Sequence, residues 1–114
     1  MTDQLEARVA RIEARQSIQD LVVRYDMAVD DRDMATVGSL FTADAVFRHG
    51  DDSIVNHGRD EIVDFYTDRL QAFGATYHYP HSHLIELADS ETATGVVRCR
   101  CGLDGCRDVD DAAP

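Results

Sequence analysis

Apolar residues recur at helical spacing from residue 3 to residue 30, but the stripe they draw changes face on the way. Leu5, Val9 and Ile12 form one stripe, and Ile18, Leu21, Val22, Tyr25, Ala28 and Val29 form another. At about 100° per residue the two centres lie roughly 150° apart. One straight helix cannot bury both in a single core. Either the helix breaks near Ser17, where Ser17-Ile18-Gln19-Asp20 resembles a capping box, or the first turns pack on a second subunit. The second alternative is preferred and predicts a homo-oligomer, a dimer or a trimer, joined through the N-terminal arm.

Further along, Asp33 is placed to cap a short helix through Leu40, and Ala45-Val46-Phe47-Arg48-His49 reads as a strand ended by Gly50-Asp51-Asp52-Ser53. Ile54, Val55 and Asn56 return as its hairpin partner. A third helix starts at Arg59, with Asp60 and Glu61 in its first turn, where the helix dipole favours acid. Ile62, Phe65, Tyr66, Arg69, Leu70 and Phe73 keep its spacing, and Gly74 stops it.

The segment Tyr77-His78-Tyr79-Pro80-His81-Ser82-His83-Leu84-Ile85-Glu86-Leu87 reads as a strand. With strict alternation Tyr77, Tyr79, His81, His83, Ile85 and Leu87 point one way, while His78, Ser82 and Glu86 point the other. A histidine on the face of Ile85 and Leu87 looks into a core or cavity, and an imidazole on an apolar wall is what a general acid/base site needs. On this reading His57 and His78 are surface or turn residues. After a turn at Ala88-Asp89-Ser90, Thr92 to Cys101 reads as another strand, with Ala93, Gly95, Val97, Cys99 and Cys101 on one face. Residues 102–114 have no period and read as a disordered acidic tail.

Length and composition narrow the function. A chain of 114 residues allows one domain with one core, here assigned to residues 1–101. Its net charge of −11, from 22 acidic and 11 basic side chains, repels phosphate backbones and anionic membranes, so neither nucleic acid nor membrane is an expected partner. The N-terminus lacks the basic and apolar regions of a signal peptide, which predicts a cytoplasmic protein. Cys99, Cys101 and Cys106 are odd in number and crowded, unlike a disulfide framework, and fall short of the four ligands of a structural zinc site. Reduced thiols are expected, with Cys99 and Cys101 serving as small apolar residues on an inner strand face.

Three stretches, in this order and spacing, resemble the nuclear transport factor 2-like superfamily, in particular its SnoaL-like and scytalone-dehydratase-like branch. They are Tyr25-Asp26-Met27-Ala28-Val29-Asp30-Asp31-Arg32-Asp33 running on to Leu40-Phe41-Thr42-Ala43-Asp44-Ala45-Val46-Phe47, then Gly58-Arg59-Asp60-Glu61-Ile62-Val63-Asp64-Phe65-Tyr66, then His81-Ser82-His83-Leu84-Ile85. The resemblance implies an α+β fold in which a curved antiparallel sheet wraps three helices into a cone, its mouth holding a small-molecule ligand. It also implies a dehydratase or isomerase acting on a cyclic or polyketide-like substrate with no organic cofactor and no metal. By the same resemblance Tyr25, Asp26 and His83 are the catalytic candidates: His83 takes a carbon-bound proton, Tyr25 polarises a carbonyl or assists the leaving oxygen, and a carboxylate orients the imidazole. Asp30, His49, Tyr79 and His81 are candidates for contacting substrate; His49 lies near the place where ketosteroid isomerases of the superfamily carry a carboxylate.

Each candidate has a structural alternative. Tyr25 lies on the apolar stripe and also suits a core tyrosine, Asp26 and Asp30 suit a solvated face and a helix end, and His83 suits a satisfied core histidine. A non-catalytic ligand-binding or assembly module is the competing function. Members of the superfamily continue with two long closing strands, whereas here the pattern collapses from about Arg100. The expectation is a terminal stretch read out of frame or a truncated gene, and with it an inactive product as a third possibility.

Overall fold

The computed structural model describes residues 2–103. Its elements are α1 (Thr2–Asp30), α2 (Met34–Ser39), β1 (Val46–His49), β2 (Ile54–His57), α3 (Arg59–Leu70), β3 (Thr76–Leu87) and β4 (Ala93–Leu103). The strands make two antiparallel pairs, β1 with β2 and β3 with β4. The α+β class of the sequence reading is the one observed.

α1 runs unbroken through Ser17. Residues 2–30 contain neither glycine nor proline, so nothing interrupts the i to i−4 ladder. The conflict between its two stripes is resolved by leaving the first one uncovered: Leu5, Val9 and Ile12 are 57%, 43% and 64% exposed. The second stripe is packed toward its end, although Leu21 is still 41% exposed. Ala28 and Val29 join Val37 of α2 and Leu70 of α3 in the core, with Tyr25, Met34, Phe41 and Tyr66 against it.

The reversal after α1 is built by Arg32 and Asp33. Arg32 takes a left-handed backbone (φ 61°), and its guanidinium donates to the carbonyls of Val29, Asp30 and Gly74 and to Thr76 Oγ1 (3.0, 3.3, 2.6 and 2.8 Å). Asp33 then caps α2 as expected, accepting from the Thr36 amide at 3.1 Å and the Thr36 hydroxyl at 2.5 Å. α3 ends at Leu70, three residues short of Phe73. Arg59 at its start donates from Nε and Nη2 to the Phe41 carbonyl (2.9 and 2.6 Å), locking α3 to the segment before β1.

β3 departs most from its predicted form. Pro80 pairs with Cys99 and Ser82 with Arg98, so His81 has no partner in the register. One extra residue on one strand is a β-bulge, and it inverts the alternation beyond it. Thr76, His78 and Pro80 before the bulge therefore share the inner face with His83, Ile85 and Leu87 after it. Tyr77 and Tyr79 lie on the outer face. β4 continues through Gly102 and Leu103, two residues past its predicted end, because both pair with the start of β3. The remainder of the predicted tail, residues 104–114 with Cys106, lies outside the described residues.

Candidate active site

The end of α1 and the start of β3 converge on one carboxylate. Asp30, the last residue of α1, accepts from the hydroxyl of Thr76 (3.0 Å), the backbone amide of His78 (2.9 Å) and His78 Nδ1 (2.6 Å). Thr76 is fully committed: Arg32 donates to its oxygen, so its single proton goes to Asp30. A carboxylate with three donors around it is held in one orientation. Because the carboxylate accepts, His78 donates from Nδ1, and in the neutral ring the lone pair is then on Nε2.

His78 lines a cavity of about 250 Å³ whose other walls include Phe47, His49, Phe65, Tyr66 and Arg69. The rings of Phe47 and Phe65 lie 4.4 and 4.2 Å from His49, centroid to centroid. Tyr66 meets Phe47 and Phe65 edge-on at 5.9 and 5.7 Å, the arrangement aromatic quadrupoles favour. His49 Nε2 donates to Oδ1 of the buried Asn56 across the β1–β2 hairpin at 2.7 Å, which fixes the ring's rotation. The cavity is thus lined by aromatic rings and by two imidazoles held in orientation, His49 by Asn56 and His78 by Asp30.

Tyr25 and Asp26 of α1 sit beside Tyr66 in the cavity wall. The hydroxyls of Tyr25 and Tyr66 hydrogen-bond to each other; burial pushes the Tyr25 phenol well above its ordinary range, with further help from Tyr66, and raises that of Tyr66. Asp26, 6% exposed, has an Oδ2 that finds no partner among the described residues. Burial raises its pKa and Asp30 raises it further, while His78 pulls it back. Cys99 and Cys101 stand across β4 from Pro80 and His78, with their sulfurs 3.8 Å apart. Cys99 is exposed on that face, not packed as the small core residue expected of it, and Cys101 is half-buried.

Against the predicted set, the fold gathers Tyr25, Asp26, Asp30 and His49 around this cavity or immediately behind it. Tyr79 and His81 are corrected: Tyr79 is 55% exposed on the outer face, and His81 is exposed on the bulge. His83 faces inward, but five residues along from His78, about 15 Å at strand spacing, and it does not line the cavity. Instead the Nε2 of His83 lies 3.7 Å from where a Cβ on Gly95 would be. His78, read from strict alternation as a surface residue, is the β3 histidine that lines the cavity. Pro80 carried the missed signal, since a proline inside a paired strand marks an edge or a bulge.

The SnoaL-like domain family matches residues 10–107, and the chain belongs to that family. No curated protein matches it. Solved structures from the nuclear transport factor 2-like superfamily share its fold. A hexachlorocyclohexane dehydrochlorinase, LinA type 2, is 22% identical with a TM-score of 0.76, covering 85% of this chain and 67% of its own. LinA type 3 from Novosphingobium barchaimii is 20% identical with a TM-score of 0.74, covering 85% and 68%. A scytalone dehydratase-like protein of Novosphingobium aromaticivorans is 18% identical with a TM-score of 0.74, covering 94% and 68%. The chain thus spans about two thirds of the length of each. Among the described residues no helix is long and apolar enough to cross a membrane, and no group of three or more His, Cys, Asp or Glu side chains could hold a metal ion.

Proposed function

We propose that this chain is an enzyme that removes a carbon-bound proton from a small ring-shaped substrate, leading to elimination or isomerisation, with the Asp30–His78 pair as its base. The observation that carries this reading is the Nδ1 hydrogen bond of His78 to a carboxylate that is itself held by two further donors. A base in that setting takes the proton on Nε2, and Asp30 stabilises the imidazolium that results; a positioned general base of this kind contributes about 10²–10⁴-fold in rate. Asp26, whose burial favours the protonated acid, and the paired phenols of Tyr25 and Tyr66 are the groups able to donate hydrogen bonds to charge developing on the substrate. This reading moves the base from His83 to His78. Structural neighbours whose names describe a dehydrochlorinase and a dehydratase, both eliminating enzymes, support the same reaction class.

A probe matched to the cavity is nitrobenzisoxazole. Its ring C–H proton passes to the base, the carbon–nitrogen bond becomes a nitrile, the nitrogen–oxygen bond breaks, and a coloured phenolate leaves. The parent protein is expected to accelerate this opening, and His78→Gln to lose about 100-fold or more of it while keeping its melting temperature. Turnover unchanged in His78→Gln would overturn the assignment. A parent protein that binds the probe without opening it would favour a ligand-binding module.

The bare stripe of Leu5, Val9 and Ile12 supports a homo-oligomer joined through the first half of α1. Light scattering of Ile12→Asp is expected to show a smaller species than the parent.

A further inference from the structure

α3 separates its charges. Asp60, Asp64 and Asp68 form one row at i, i+4 and i+8, and Glu61 is turned back to accept from the His57 amide at 3.1 Å. On the cavity side stand Phe65, Tyr66, Arg69 and Leu70. Arg69 therefore points its charge toward aromatic rings and away from the acidic row of its own helix. Its guanidinium carbon lies 5.6 Å from the Phe65 centroid, and among the described residues it has no ion pair and no side-chain hydrogen bond. In a chain of net charge −11, a cation that lines a cavity and accepts no carboxylate partner leaves its whole donor fork free. Resting on a ring face uses none of those donors.

We infer that the ligand of this cavity is a planar ring, single or fused, carrying an anionic oxygen that pairs with Arg69. The volume of about 250 Å³ corresponds to about eight liquid waters, room for one or two small rings. Phe47, Phe65 and Tyr66 supply an apolar aromatic wall, and Arg69 the paired donors that suit a carboxylate or an enolate or phenolate oxygen. This inference deepens the base assignment by naming the substrate class of the same site, and it identifies Arg69 as a specificity-determining residue. An acidic ring compound is also the kind of substrate whose deprotonation delivers negative charge to an oxygen, so the same guanidinium serves the bound ligand and the charge that develops from it.

The test is a ligand-observed NMR titration at low ionic strength with benzoate and with benzamide, its uncharged counterpart. The parent is expected to bind benzoate roughly tenfold more tightly, a difference of about 1.4 kcal/mol. Arg69→Gln is expected to bring the ratio to about one with benzamide binding unchanged, and Arg69→Lys, which keeps the charge, to retain part of the preference. A failed base assignment is read from probe turnover, a separate measurement that leaves this titration intact. A parent that binds both compounds equally, or neither, overturns the inference. So does a folded Arg69→Gln that keeps the preference, or a folded Arg69→Lys that has none.

Discussion

The two halves of β3 differ in what they give the protein, although both face α1. Before the bulge the inward residues include Thr76 and His78, polar side chains that each bond to Asp30. After it the inward residues include Ile85, 4% exposed, whose carbonyl accepts from Arg15 Nη1 at 2.9 Å. The first half is held to α1 by side-chain bonds to Asp30, the second by the burial of the Ile85 side chain and one bond from Arg15 to its main chain. Directional bonds fix an imidazole to within a few tenths of an ångström, whereas burial fixes a strand without caring which atom touches which.

Deleting His81 breaks the division most severely. Loss of the bulged residue restores strict alternation, so one half of β3 must turn its inward set to solvent. The expected result is loss of probe turnover together with a stability loss of about 3 kcal/mol or more, read from urea melts. Ile85→Ala separates the halves: a loss of about 2–4 kcal/mol in the same melts, with turnover of the folded protein within about twofold of the parent, since no directional bond to the cavity is touched. A large turnover loss with unchanged stability would show that the second half also belongs to the site.

His83→Gln sharpens the same line, because its turnover is expected to stay within about threefold of the parent where His78→Gln loses about 100-fold. Asp26→Asn has the smallest expected effect, and that effect depends on pH. Burial raises the Asp26 pKa in the folded chain, so the favourable contribution of the neutral acid is complete below the ordinary carboxylate range and is lost as pH rises through the raised value. The variant should melt close to the parent near pH 4 and at a higher temperature than the parent near pH 8. A gain of the same size at both pH values would mean that ionisation of Asp26 is not the cause.

Much of this architecture is legible in the chain because local rules suffice for it. The second stripe of α1, the Asp33 cap, the hairpin at residues 46–57 and the acidic start of α3 each follow from spacing and capping within a few residues. Tyr25, Asp26 and Asp30 fall near the site because helical spacing places them on the packed end of α1. What local spacing does not carry is a change of phase. Strict alternation over residues 77–87 puts His83 and Tyr79 on one face, and a single unpaired residue after Pro80 is enough to exchange Tyr79 for His78. The partner that makes His78 matter is 48 residues earlier in the chain, a separation that no periodicity reads. The unbroken course of α1 is the one that the preferred of the two alternatives at Ser17 requires.

Arg32 joins the carbonyl end of α1, the approach to β3 and Thr76 through one guanidinium. Mechanically, these parts then behave as one body, and the last turn of α1 loses the freedom to fray that helix ends ordinarily have. In hydrogen exchange, the amides of Asp31 and Asp33, which close onto Met27 and Ala28 at 2.8 Å each, should open together with the amide of His78 and more slowly than the exposed first turns of the same helix.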